Sequence, residues 1–261
     1  MIPERLMPGT PEWRLYIPEH LQRYEFFAPE CAGKSVLDAA CGVGYGSRAL
    51  AEAGAASVLG VDLSEDALDV GRRQFAHPSV EFARRDVAGL EGLGPFGMVV
   101  SFETIEHVPE PELFIRAVRR VIADDGLFVC STPNKDYHSP STEPNLYHLS
   151  SIGFAEFAAL FGKYFRIERQ FHQSHSVNYL RQMALMKELE RLRKQVAFSR
   201  ILRFENWIRK ALGRSYPNDH ATADLMAEGA PGDYYIAPLQ KPSDEPVTYI
   251  LAGRPIRWPD A

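Results

Sequence analysis

Val36-Leu37-Asp38-Ala39-Ala40-Cys41-Gly42-Val43-Gly44-Tyr45-Gly46, with Gly60-Val61-Asp62-Leu63 behind it, is the stretch that decides the fold. It opens as a short apolar run, passes through an acid and turns glycine-rich. Gly46 to Ala53 then reads as a helix, and Ala56 to Asp62 as a second apolar run that also ends in an acid. Strand, tight turn, helix and strand in that order is the unit of a parallel sheet, because parallel neighbours need a crossover between them.

The alternation continues downstream. Ser64 is placed to cap a helix from about Glu65 to Phe75. Strands follow at Val80–Arg84 and Gly97–Phe102, then a helix at Glu110–Ala123. The turn residues Asp124-Asp125-Gly126 lead into a fifth strand, Gly126–Ser131. Further on, Ser150–Phe161 suits a helix, Arg166–Phe171 a sixth strand, Asn178–Leu212 a long helical stretch, and Tyr234–Leu239 and Thr248–Ala252 closing strands. Upstream, residues 1–17 are Pro-rich and irregular. Pro18 to Pro29 suits a short amphipathic helix, with Leu21, Tyr24 and Phe27 at helical spacing. The whole predicts one α/β domain with a mostly parallel sheet and helices on both faces. Its expected parts are an N-terminal helical cap (1–34), a core (35–172), a helical insertion or lid (173–233) and closing strands (234–261). Ligands of such sheets bind at the carboxyl ends of the strands.

Glycines 42, 44 and 46 let backbone approach a ligand and permit positive φ. Several nucleotide-binding folds use such a turn, but the dinucleotide fingerprint wants glycine where Ser47 stands. Asp38 is more telling. A carboxylate beside a pyrophosphate repels it, whereas it suits a ligand carrying an ammonium group, as the methionyl part of S-adenosylmethionine (SAM) does. Asp62 can accept both hydroxyls of a ribose. Asp86 follows the third strand, and with the Val87 amide it can read an adenine edge. Each acid alone is a common cap or turn residue; three at three consecutive strand ends point to a nucleoside pocket.

These residues resemble the class I SAM-dependent methyltransferases, over about residues 20–172. The resemblance implies a Rossmann-like seven-stranded sheet whose last strand is antiparallel, here with a long helical insertion before that strand. It implies cofactor contacts from Asp38, Ala40, Gly42, Gly44, Asp62, Leu63, Asp86, Val87 and Phe102. Glu19-His20-Leu21-Gln22-Arg23-Tyr24 also resembles a motif preceding the sheet in some bacterial members; Arg23 or Tyr24 then meets the cofactor carboxylate, or the helix is only a packed cap. After the fourth strand, Glu103-Thr104-Ile105-Glu106-His107 gives an E-x-x-E-H motif like that of ubiquinone-pathway O-methyltransferases and of small-RNA 2′-O-methyltransferases. In the RNA enzymes two acids and two histidines hold a divalent metal. The matching set is Glu103, Glu106, His107 and His148, suited to Mg, Mn or Zn. His107 acting alone as general base is the second reading, and a loop anchor the third. Ser131-Thr132-Pro133-Asn134 resembles the acceptor loop of bacterial surface-glycan and secondary-metabolite enzymes, which implies a sugar hydroxyl, or a lipid-linked sugar, as acceptor.

The formal net charge of −5 speaks against DNA and makes RNA a poor substrate. Three scattered cysteines without a CxxC suit a reducing cytoplasm, the expected location, and no signal peptide or transmembrane run is visible. Residues 181–214 interleave Lys and Arg with Leu, Ile and Val. They suit a solvated lid or a homodimer arm, or else an interfacial helix touching anionic lipid. A non-catalytic SAM-binding protein is the competing class; a nicotinamide oxidoreductase is disfavoured by Asp38 and Ser47.

Overall fold

The structure, a computed structural model, describes residues 6–135, 152–175, 234–239 and 246–256. Five helices follow from it: α1 (Pro11–Phe27), α2 (Tyr45–Glu52), α3 (Glu65–Gln74), α4 (Pro111–Val121) and α5 (Phe154–Gly162). Its strands are β1 (Ser35–Ala39), β2 (Ser57–Asp62), β3 (Val80–Arg84), β4 (Phe96–Ser101), β5 (Ile122–Pro133), β6 (Phe165–His175), β7 (Tyr234–Pro238) and β8 (Thr248–Pro255). All eight lie in one sheet in the order β3-β2-β1-β4-β5-β8-β6-β7. The pairs among β1 to β5 are parallel, while β8 runs antiparallel to both β5 and β6. The expected Rossmann-like layout is present, with one strand more than the seven expected: β7 pairs antiparallel with β6 and extends the sheet past it.

Alternation along the strands divides the core between the two faces. Leu37, Ala39, Phe128 and Cys130 join the cluster under α4 and α5. Val36, Leu127 and Val129 join the one under α1 and α2. Asp38 has the parity of Val36, so its carboxyl lies on the α1/α2 face, completely buried.

Three boundaries differ from expectation for local reasons. α1 starts at Pro11, not Pro18: the Thr10 hydroxyl accepts the Trp13 N–H at 3.2 Å, Pro11 takes the first turn, and Pro18 is carried inside the helix. β5 begins at Ile122, before the Asp124-Asp125-Gly126 turn signal. Phe96 pairs with Ile122 and Met98 with Leu127, so those turn residues form an irregularity within the strand instead of a separate turn. β6 continues to His175, which takes residues 173–175 out of the expected insertion. The remainder of that insertion, including the basic stretch 181–214, lies outside the described residues. Among the described residues no helix is long and apolar enough to cross a membrane.

Candidate active site

The strand order turns back between β1 and β4, and a cavity of about 360 Å³ opens at the carboxyl ends of these strands. Ala40, Gly42, Asp62, Leu63 and Val87 form one side of it, and Phe102, Glu103, Thr104, Glu106 and His107 another. A third wall comes from the N-terminal segment: Leu6, Tyr16, His20 and Tyr24. Tyr16, His20 and Tyr24 recur every fourth residue on α1, one stripe of a helix. Starting the helix at Pro18 leaves Tyr16 off that stripe, and Leu6, Tyr16 and His20 are cavity residues that the sequence reading does not assign.

The glycine-rich turn does two different jobs. Gly42 has φ +57°, and a Cβ there would meet nothing within 4 Å, so the turn is open on the ligand side. At Gly46 a Cβ would sit 2.1 Å from the Tyr24 ring. This glycine makes room for α1, not for a ligand. The Gly42 N–H donates to Asp62 Oδ2 at 3.0 Å and the Ser64 N–H to Asp62 Oδ1 at 2.8 Å, which fixes the Asp62 carboxylate at the cavity edge. Leu63 beside it is 54% exposed, an apolar surface left uncovered.

The other acids sit differently. Asp38 is behind the cavity wall: Tyr24 OH donates to its Oδ1 at 3.1 Å and Ser47 Oγ to its Oδ2 at 2.6 Å. Burial pushes its carboxyl up to about 6, against the pull of these two hydrogen bonds. Asp86 is exposed, and its carboxylate accepts the Ala88 N–H at 2.9 Å; the cavity wall there is made by Arg85 and Val87.

Glu103 and Ala40 are the two non-glycine residues with positive φ among the described residues, at 52° and 65°. They end β4 and β1, on either side of the crevice. Ser131 holds Glu103 twice: its Oγ accepts the Glu103 N–H at 3.0 Å and donates to Glu103 Oε1 at 2.7 Å. Burial raises the Glu103 carboxyl, with the Arg23 guanidinium opposing. Glu106 is 2% exposed, its Oε1 3.7 Å from His107 Nε2 and its Oε2 without a hydrogen-bond partner among the described residues. Burial, then the charge of Glu103, holds Glu106 well above the usual carboxylate range.

Arg23 is completely buried. Its Nη1 donates to Gln173 Oε1 at 2.5 Å and to Glu19 Oε1 at 3.4 Å, while Nε and Nη2 have no hydrogen-bond partner among the described residues. His20 meets Tyr45 OH through Nδ1 at 3.2 Å, and burial, with Arg23 close by, takes its ring down to about 3, a neutral imidazole. The N-terminal helix is thus both a packed cap and a cavity wall.

The expected metal set is not drawn together by its described members. Among the described residues no group of three or more His, Cys, Asp or Glu is placed to hold an ion. Glu103 Oε1 is held by Ser131, and Glu106 Oε1 lies 3.7 Å from His107 Nε2. His148, the fourth member, and His138 lie outside the described residues.

An open glycine turn before α2, an acid closing β2 and a crevice between β1 and β4 are features of one large class of SAM-binding proteins. Residues 36–126 match the family described as methyltransferase domain, and this core is a class I SAM-dependent methyltransferase domain. Among relatives, the "probable S-adenosylmethionine-dependent methyltransferase" of Mycolicibacterium smegmatis is 33% identical over 160 residues, 60% of this chain and 61% of that protein. The ubiquinone biosynthesis O-methyltransferase of Pseudomonas paraeruginosa is 36% identical over 126 residues, 47% of this chain and 51% of that enzyme. The chain therefore spans about half to three fifths of the length of these relatives. Of solved structures, an S-adenosylmethionine-dependent methyltransferase from Mesorhizobium loti shares the fold at a TM-score of 0.53 and 18% identity, over 94% of this chain and 98% of that one. The [4+2]-cyclase SpnF shares it at 0.55 and 16%, over 91% and 80%.

Proposed function

We infer that the protein transfers a methyl group from SAM to a hydroxyl of a small-molecule acceptor, with a sugar or lipid-linked sugar as the first acceptor class to test. One observation carries this: a single cavity is bounded by the open turn at Gly42 and Asp62 on one side and by Glu106 and His107 on the other. The residues fit the cofactor. Gly42 leaves room for it, Asp62 offers a fixed carboxylate to a ribose, and Leu63 offers an uncovered apolar face to a purine. Bound SAM supplies a methyl carbon already activated by its sulfonium. The protein's share is to orient the acceptor in line with that carbon, exclude water and take one proton. His107, 23% exposed in its side chain and against the cavity, takes the acceptor's hydroxyl proton, and Glu106 beside it orients the ring. No step is routed through a metal. The O-methyltransferase relatives support oxygen as the acceptor atom.

The fold alone does not decide the chemistry, since a [4+2]-cyclase shares it. Calorimetry with SAM and NADH tests the cofactor, and product detection over a panel of hydroxylated acceptors tests transfer. SAM binding with a methylated product is the expected result; NADH binding without SAM binding removes the reading. A protein that binds SAM but methylates nothing in the panel is the non-catalytic class.

A further inference from the structure

Two carboxylates at the crevice compete for the role of cation partner, and their surroundings separate them. Asp38 has both oxygens engaged by protein hydroxyls and is absent from the cavity wall. Glu103 forms part of that wall, and among the described residues only its Oε1 is taken, by Ser131 at 2.7 Å. Its backbone is held at φ +52°, a conformation that costs a non-glycine residue about 1 kcal/mol or more. The Ser131 hydroxyl, itself completely buried, stabilises that conformation by accepting the Glu103 N–H while it grips the carboxylate. Backbone strain after a strand end, pinned by a buried hydroxyl and bordering a cavity, is the pattern of a positioned ligand group. Arg23 is the strongest favourable charge acting on Glu103, and two of its nitrogens are unpartnered among the described residues. Glu103 thus offers an acid on the cavity wall to a cationic group, while the buried Arg23 guanidinium acts on it from outside the lining.

We propose that Glu103, held in its left-handed conformation by Ser131, is the binding partner of a primary ammonium group in the cavity, the α-ammonium of the cofactor's amino-acid end, and that Asp38 acts only from behind, through Tyr24. This rests on the SAM reading given above. Ser131 is a positioning residue; Glu103 is the contact.

The test compares two ligands that differ in the ammonium-bearing arm: S-adenosylhomocysteine, which carries the amino-acid end and no sulfonium, and 5′-methylthioadenosine, which lacks that end. Each is titrated by calorimetry into the full chain and into Glu103→Gln, Ser131→Ala and Ser131→Thr, with a thermal melt of each variant. Glu103→Gln and Ser131→Ala are expected to weaken S-adenosylhomocysteine by at least about tenfold while methylthioadenosine stays within about twofold. Ser131→Thr, which keeps the hydroxyl, is expected to restore most of the affinity. The methylthioadenosine titration also checks that each variant keeps its fold. Unchanged S-adenosylhomocysteine binding in Glu103→Gln, or equal losses for both ligands, overturns the assignment. Failure of Ser131→Thr to recover overturns the positioning role. If the unaltered chain binds neither ligand, the SAM reading falls first and this inference with it, an outcome distinct from the others.

Discussion

The ends of β1 and β4 carry the same ingredients and put them to opposite use. Each has an acid, Asp38 buried and Glu103 half-buried, each has a hydroxyl on that acid, and each has a non-glycine residue at positive φ. At β1 the acid is inside the strand, on the α1/α2 face, where Tyr24 and Ser47 satisfy it. At β4 the acid comes after the strand, in the turn itself, where one serine holds it at the cavity. Position relative to the strand end thus separates an acid that supports the turn from one that can meet a ligand. Acid content alone makes the two look alike.

The largest expected effect comes from removing the group that only the β4 side supplies. His107→Ala should lower turnover by about 10²–10⁴-fold and leave S-adenosylhomocysteine affinity within about twofold. Steady-state kinetics beside calorimetry would show it, and an equal loss in both would move His107 to the cofactor side. Next is the pH behaviour of Asp38. Its folded value of about 6 lies above the ordinary 3.8, so between these values the fold binds a proton that the unfolded chain does not. Its favourable contribution is complete below about pH 4 and is lost as pH rises through 6. Relative to Asp38→Asn, the unliganded wild type should lose up to about 3 kcal/mol between pH 4 and 7. Denaturant melts of both proteins across that range check the sign, and Glu19, held near 2, is common to both and cancels.

Asp62→Ala comes third. It strands the Gly42 and Ser64 amides and removes the ribose acceptor, so cofactor affinity should fall by about ten- to a hundredfold. Smaller still is the contrast inside the turn. Gly46→Ala drives a methyl into the Tyr24 ring and should cost about 1–3 kcal/mol of stability, visible as a lowered melting temperature. Gly42→Ala has open space, so it should cost about 1 kcal/mol through its φ alone and act mainly on ligand binding. The smallest effect is chelation: dialysis against EDTA should change turnover less than about twofold, and a large loss restored by Mg or Mn would bring Glu106 and His107 back as ligands with His148.

Much of the fold was legible because it is written in short-range terms. Apolar runs of strand length, the Ser64 cap and the glycine turn each announce themselves locally, and β1 to β4 fall within a residue or two of expectation. Less legible were features fixed by distant partners. Pro18 suggested a helix start, yet Thr10 and Pro11 start α1, and the Tyr16, His20 and Tyr24 wall follows from that. Asp124-Asp125-Gly126 has turn chemistry, yet pairing with β4 absorbs it into β5.

The sequence by itself determined the class of the protein. Strand periodicity, the turn glycines and the acids at successive strand ends depend only on neighbours along the chain, and they predict both sheet and pocket. Only the tertiary structure decided which acid lines the cavity. Asp38 and Glu103 are both carboxylates at β-strand ends, and acid content alone does not tell them apart. What separates them is Tyr24 from α1 and Ser131 from β5, brought in across 14 and 28 residues of chain. Burial among such partners settles whether a carboxylate is satisfied from within or left open to a guest.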